Sequence, residues 1–379
     1  MKSRIVILSA LILLFCFSIS NSTENYIPSG ISQHIDVAQM GMGGITTTIY
    51  TNSHTLFYNP ALLNRQGLEV DIINIGLGLD TDATDVLKFV DDHQDDFDDF
   101  ESLSIEEQEQ FFLDCSEFDN KWVGVQAAPY IGFAASHFAL GGYGISYFDV
   151  KIDQGVFVPA LAMKGYMDIV IGAGIGLPVN IMDRSFEVGI TGRYIQRRSF
   201  LPIRINAQDV NDAEDIFDVA LDSLENSTNG FGLDVGMVRS MKLEMLGRGI
   251  DLDYAVVVQD LIGSLGGYVK PNIKFGAMTH IPFADNFLLP RWDFGIEMTD
   301  FFNRQGVNFF NRINMGTEVA LLGGFAKLRS GFHQGYPTWG AGLSLFIIHL
   351  DYARFTRELG TKPGQFPETT HRAQLTIGF

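Results

Sequence analysis

The sequence predicts an all-β protein: a transmembrane antiparallel β-barrel of about 14 strands that carries short acidic helical inserts. Three observations lead there. Large apolar residues alternate with small or polar ones from about residue 120 to the end. Beyond the first 22 residues there is no stretch of 18 or more apolar residues, so a membrane-inserted chain has to enter as strands. An open sheet would leave its edge N–H and C=O groups unpaired in lipid, which leaves closure into a barrel.

Residues 1–22 read as a secretory signal peptide. Lys2 and Arg4 form a basic start, Ile5 to Phe17 is an almost unbroken apolar run, and Ser20-Asn21-Ser22 precedes a cleavage point before Thr23. Residues 23–67 are not strand-like and hold two turn-forming clusters, Gly41-Met42-Gly43-Gly44 and Asn59-Pro60-Ala61. The formal charge of −19 is concentrated: residues 80–119 carry 16 acidic residues against Lys88 alone, and 209–225 carry seven and no basic residue. In the first insert Val86, Val90, His93, Phe97 and Phe100 share one helical face. In the second, Ile216, Phe217, Ala220, Leu221 and Leu224 do so. Both are expected to be helices capping a barrel mouth. So acidic a surface argues against nucleic acid as a partner.

The strands follow. Ile169, Ile171, Ala173, Ile175 and Leu177 alternate with Val170, Gly172, Gly174 and Gly176. Trp292, Phe294, Ile296 and Met298 alternate with Asp293, Gly295 and Glu297, and Trp339 to Leu345 repeats the pattern. The polar second row, with Glu187, Arg193, Asp234, Asp253, Glu318, Asp351 and Arg372, favours a lipid-facing wall around a polar lumen whose charges pair with one another. Tyr130, Tyr143, Tyr194, Tyr268, Trp292, Trp339 and Tyr352 are expected in interfacial girdles. The closing strand is the clearest: Ala373, Leu375, Ile377 and Phe379 face one way, Arg372, Gln374, Thr376 and Gly378 the other. Leu375, Ile377 and Phe379 look like the assembly signal that the barrel-assembly machinery of a Gram-negative-type outer membrane reads.

With Phe379 on the periplasmic side, ten strands run from about residue 185 onward. Segments 68–79, 121–137, 139–150, 154–164 and 166–178 raise the count to 15. An odd number cannot bring both ends to one side, so 14 is expected, with one early segment absorbed into another.

Catalytic chemistry finds little support, and the chain is read as no enzyme. Ser53-His54 and Ser136-His137 are neighbours that a strand would point to opposite faces. Gly172-x-Gly174-x-Gly176 lacks the strand–loop–helix setting of a nucleotide loop. Asp80-x-Asp82-x-x-Asp85 lacks the spacing and glycine of a calcium loop. No cofactor and no metal are expected.

Gly41-Met42-Gly43-Gly44 followed by Tyr58-Asn59-Pro60-Ala61 resembles the FadL-like outer-membrane transporter superfamily. Arg329-Ser330-Gly331-Phe332 with Gly335-Tyr336, Leu350-Asp351-Tyr352-Ala353 and His371-Arg372 look closer to its PorV- and TraF-like branches. The resemblance implies a 14-stranded barrel (68–379) plugged by an N-terminal hatch (23–67) built on Gly41, Gly43, Gly44, Asn59, Pro60 and Ala61. It also implies one of two activities: passive passage of hydrophobic small molecules, or a non-transporting barrel that anchors or shuttles secreted proteins. A greasy ligand pocket is expected between hatch and wall, near Phe57, Tyr58 and Leu62. The expected partners are outer-membrane lipid, the assembly machinery, and a hydrophobic ligand or a secreted protein.

Overall fold

A computed structural model describes residues 35–50, 52–93, 104–116, 122–153, 160–182, 184–206, 226–245, 248–283, 287–288, 290–358, 361–364 and 367–379. The expected signal peptide and the expected helix over 209–225 lie outside the described residues. Fourteen antiparallel strands close into a barrel. The first seven are β1 (Glu69–Asp80), β2 (Trp122–Ala135), β3 (Phe138–Asp153), β4 (Ala160–Ile181), β5 (Arg184–Asn206), β6 (Asn226–Met245) and β7 (Arg248–Leu265). The others are β8 (Asn272–Pro282), β9 (Arg291–Met298), β10 (Ile313–Leu321), β11 (Ala326–His333), β12 (Tyr336–Leu345), β13 (Ile348–Glu358) and β14 (Pro367–Gly378). Each strand pairs with its neighbour in sequence, and β14 returns to β1 with Leu375 opposite Ile75. No sheet edge is left open.

The uneven strand count has a physical cause. The described part of segment 154–164, from Ala160 on, and segment 166–178 belong to one strand, β4, whose register against β5 shifts between Met163 and Gly165. A bulge there breaks the alternation and makes one strand read as two. With 14 strands the parity closes: the β1–β2 connection, which holds the acidic insert, lies on the rim opposite Phe379, together with the β13–β14 connection.

The two rows fall as the alternation demands. Ile171, Phe231, Trp339 and Leu350 point outward and are exposed, while Arg193, Asp234, Glu297 and Arg372 point inward and are buried. An apolar surface running round a whole barrel is far larger than a water-soluble monomer exposes. Two expected girdle residues are corrected. Tyr130 and Tyr143 are buried on the inward row, because Ile131 and Phe133 hold the outward positions of β2 and fix its parity.

Helix α1 (Val37–Gly41) and the single turn α2 (Thr55–Tyr58) precede a 3-10 turn, Pro60–Arg65. These pieces pack against the inward residues of β4, β5, β6, β12 and β13. In the acidic insert, α3 (Ala83–Asp92) ends earlier than expected; Phe97 and Phe100 lie outside the described residues. Helix α4 (Ile105–Ser116) packs on it through Phe89, His93 and Phe111. Burial pushes the Cys115 thiol of α4 up to about 12.

Candidate functional site

The glycine cluster is where the N-terminal segment meets the wall most closely. Asp36 caps α1 by accepting from the Ala38 N–H at 3.3 Å. After α1 the chain turns on Gly43 and Gly44, at φ of +76° and +77°. A Cβ on Gly43 would stand 2.2 Å from the Met315 carbonyl oxygen of β10. The Gly43 N–H donates to Thr338 Oγ1 at 3.1 Å, and that hydroxyl donates to the Gly41 carbonyl at 3.1 Å. One carboxylate then gathers the next stretch: Glu297 Oε2 accepts from the Thr46 and Thr47 N–H groups at 2.8 and 2.7 Å. These are charge-assisted bonds between buried groups, the strong kind.

The second motif folds back toward the Phe379 rim. Asn59 Oδ1 accepts from the Ala61 N–H at 3.1 Å, and its Nδ2 donates to the Thr47 carbonyl at 2.6 Å. Pro60 opens the 3-10 turn, where its missing N–H is not needed. Three wall glycines make room: a Cβ on Gly236 would lie 1.9 Å from Asn59 Oδ1, and one on Gly176 or Gly189 would strike the Pro60 carbonyl. The turn ends on Arg65, which donates to Glu187 at 2.6 Å and to Asp253 at 2.5 Å. The inward charges thus serve partly to hold this segment and partly to hold one another, as Arg193 does with Asp234 and Asp260, and Arg329 with Glu318 and Asp351.

Ser53-His54 sits at the start of α2, not on a strand. Ser53 Oγ donates to Asp71 and lies within bonding distance of the Tyr130 hydroxyl, while His54 Nε2 meets Asn74 Nδ2 at 3.0 Å. Burial lowers the His54 pKa to about 3, so its imidazole is neutral. Asp80 accepts from the Gly124 N–H and from Thr370 Oγ1, and lies beside Asp149 and Glu368 at the rim. Each of those two neighbours holds a cation of its own, Lys164 and Arg357.

Phe57, Tyr58 and Leu62 are all buried but do not line one cavity. Phe57 packs edge-on to Tyr143 at 4.8 Å in a cluster with Leu56, Tyr130, Val170 and Ile195. Tyr58 turns its hydroxyl to the Asp36 N–H, and Leu62 packs on Val238 and Ala255. Behind Phe57 the wall is thin. A Cβ on Gly172 would meet the Phe57 ring at 2.7 Å, and one on the outward-facing Gly192 would meet nothing within 4 Å. On the outer face this leaves a hollow of about 520 Å³ lined by Leu140, Ile171, Ala173, Tyr194, Phe231 and Leu233. The sequence showed the small glycine row but gave no sign of the hollow, which needs side chains missing from adjacent strands at one level. A second cavity, about 410 Å³ and polar, lies above Gly44 among Asn272, Lys274, Asn311, Asn314 and His333.

No protein-family model matches the chain, and no curated protein matches it. Among solved structures it is similar to the Pseudomonas putida toluene transporter TodX (9% identity, TM-score 0.38, covering 93% of this chain and 99% of that one). It is also similar to the monoaromatic hydrocarbon channel CymD (9%, 0.41, 91% and 97%). A third is CdiB from Acinetobacter baumannii (8%, 0.36), where 83% of this chain spans 60% of that one. TodX and CymD are FadL-family channels; the PorV- and TraF-like branches are not represented among these three. Similarity at this level is one of overall shape and carries no argument about what this chain does.

Proposed function

We propose that this chain is a channel of a Gram-negative-type outer membrane through which small hydrophobic molecules pass passively. Residues 23–67 act as its hatch, 68–379 as its barrel, and 1–22 as the export signal. The observation that carries this reading is the apolar contact at Phe57. Apolar side chains on the hatch and apolar side chains on the lipid-facing surface are separated only by strand backbone at Gly172 and Gly192. A hydrophobic solute therefore meets apolar surface on both sides of a wall that carries no side-chain barrier at that level. The outward apolar row and the absence of an open edge support the membrane setting. Within the hatch, Gly41, Gly43, Gly44, Asn59, Pro60 and Ala61 fix the seat, Phe57 forms the apolar contact, and Tyr58 and Leu62 pack the segment on either side of it. Leu375, Ile377 and Phe379 serve assembly.

The test uses purified full-length protein in liposomes and an uncharged hydrophobic fluorophore. Wild-type vesicles take up the probe faster than empty ones, and Gly192→Leu, whose Cβ has nothing within 4 Å and whose side chain projects into the hollow, slows uptake. Equal uptake by Gly192→Leu and wild type would overturn the proposed route. One observation favours the second reading, a barrel that anchors or shuttles secreted proteins: the acidic helices α3 and α4 lie in the connection on the rim opposite Phe379. Crosslinking from residues 80–120 that captures no protein counts against it.

A further inference from the structure

The strands are unequal around the barrel. β3 to β7 run 16 to 23 residues, whereas β8 to β13 run 8 to 11. A strand rising about 3.3 Å per residue and tilted by about 40° climbs roughly 2.5 Å per residue along the barrel axis. The eight residues of β9, and of β11, therefore climb about 20 Å, short of an apolar band about 25 Å tall. The long strands overshoot the same band. On the short side, the connections themselves have to make up the missing height.

Those connections carry large apolar side chains where turns ordinarily carry polar ones. On the Phe379 rim the β8–β9 connection exposes Phe287 and Leu288, the β10–β11 connection Leu322 and Phe325, and the β12–β13 turn Phe346 and Ile347, with Phe346 98% exposed. The first two are joined: the Leu322 N–H donates to the Leu288 carbonyl, and the Gly323 N–H to that of Phe287. Leu322 and Phe346 both take φ of +52°, a conformation that Asn and Gly adopt at least cost. On the opposite rim the residues at positive φ include Asp300, Asn303 and Gln334. So the apolar choice at Leu322 and Phe346 runs against turn chemistry and needs another cause. Above β9, the β9–β10 connection exposes Phe301, Phe302, Phe309 and Phe310. The Phe301 ring packs 4.7 Å from Phe275, which belongs to the outward apolar row of β8.

We propose that these connections are embedded in the membrane, where their phenylalanine and leucine side chains complete the lipid-facing belt on the short side and contact acyl chains. The inference rests on the membrane reading above. Continuity with the outward row through Phe275–Phe301 selects lipid as the occupant over a protein partner. The barrel then meets the bilayer asymmetrically, with the ends of the long β3–β7 strands standing clear of it.

The experiment places single cysteines at 171, 302 and 346 in the full chain carrying Cys16→Ala and Cys115→Ser. Each is labelled with a nitrobenzoxadiazole fluorophore and reconstituted in phosphatidylcholine vesicles. Brominated acyl chains and aqueous iodide then serve as quenchers. We expect labels at 302 and 346 to be quenched by brominated lipid to at least half the extent seen at 171, and weakly by iodide. If 171 is quenched by lipid while 302 and 346 respond to iodide, the inference fails and the membrane reading stands. Shielding of 302 and 346 from both quenchers means that protein covers them, and also overturns it. If 171 itself escapes the brominated lipid, the membrane reading is what fails.

Discussion

Replacing Glu297 with alanine is expected to loosen the N-terminal segment at Thr46 and Thr47. Glu297 is 1% exposed and accepts from both backbone N–H groups, at 2.8 and 2.7 Å. A hydrogen bond to a charged group contributes about 1.5–3 kcal/mol net, and a buried amide left without an acceptor carries a penalty of similar size. Loss of both bonds therefore weakens the seat by about 3–6 kcal/mol. At about 1.4 kcal/mol per decade, hydrogen exchange of these two amides should speed up by roughly two to four orders of magnitude. Glu297→Gln keeps one acceptor oxygen without its charge and should lose about half as much. The assay is amide hydrogen exchange on the protein in lipid nanodiscs, read at residues 45–48. Unchanged protection in Glu297→Ala would refute the reasoning, because it would mean that the segment is held without this carboxylate.

Two further outcomes follow from the same seat. Gly236→Ala brings a Cβ within 1.9 Å of Asn59 Oδ1 and should destabilise the protein by about 1–3 kcal/mol in a urea melt, while Gly192→Ala, with nothing within 4 Å, should stay within about 0.5 kcal/mol. Acidification should loosen the N-terminal segment. The His54 pKa is near 3 when seated and 6.5 when free, so only the released segment binds a proton between those values, and seating is favoured as pH rises through that window. Going from pH 7 to pH 5 weakens the seat by about 2 kcal/mol. Protease accessibility of residues 41–62 measured against pH checks this, and His54→Asn should flatten the dependence.

Much of the barrel is legible in the sequence because a strand in a wall obeys a local rule. In β9, Trp292, Phe294 and Ile296 had to share a face whatever surrounded them, and the closing strand at Leu375 and Ile377 behaves the same way. The rule failed where local geometry broke it: the bulge at Met163–Gly165 reset the phase and turned one strand into two apparent ones. It misled at Tyr130 and Tyr143, where residue type suggested an interface and the neighbouring Ile131 and Phe133 already assigned the inward row. The contacts of the N-terminal segment were beyond it for another reason. Glu297 meets Thr46 across 251 residues of sequence, and Arg65 meets Asp253 across 188. The inward row announced its charges without naming their partners. Likewise Gly172 and Gly236 read as small residues, and only the approach of Phe57 and Asn59 explains why nothing larger fits.

In the proposed channel the N-terminal segment packs against the inside of the wall, so it has to move for a hydrophobic solute to pass, and a reversible tether tests this directly. A Cβ at position 41 lies 3.6 Å from that of Ala353, inside the reach of a disulfide, with β12 yielding slightly at Gly340. Gly41→Cys with Ala353→Cys, in a Cys16→Ala, Cys115→Ser background, should hold α1 on the wall when oxidised and free it when reduced. In liposomes, uptake of the hydrophobic probe should be blocked in the oxidised protein and return to the wild-type rate on reduction. Equal uptake in the two states, with the disulfide verified by mass spectrometry, would contradict the claim.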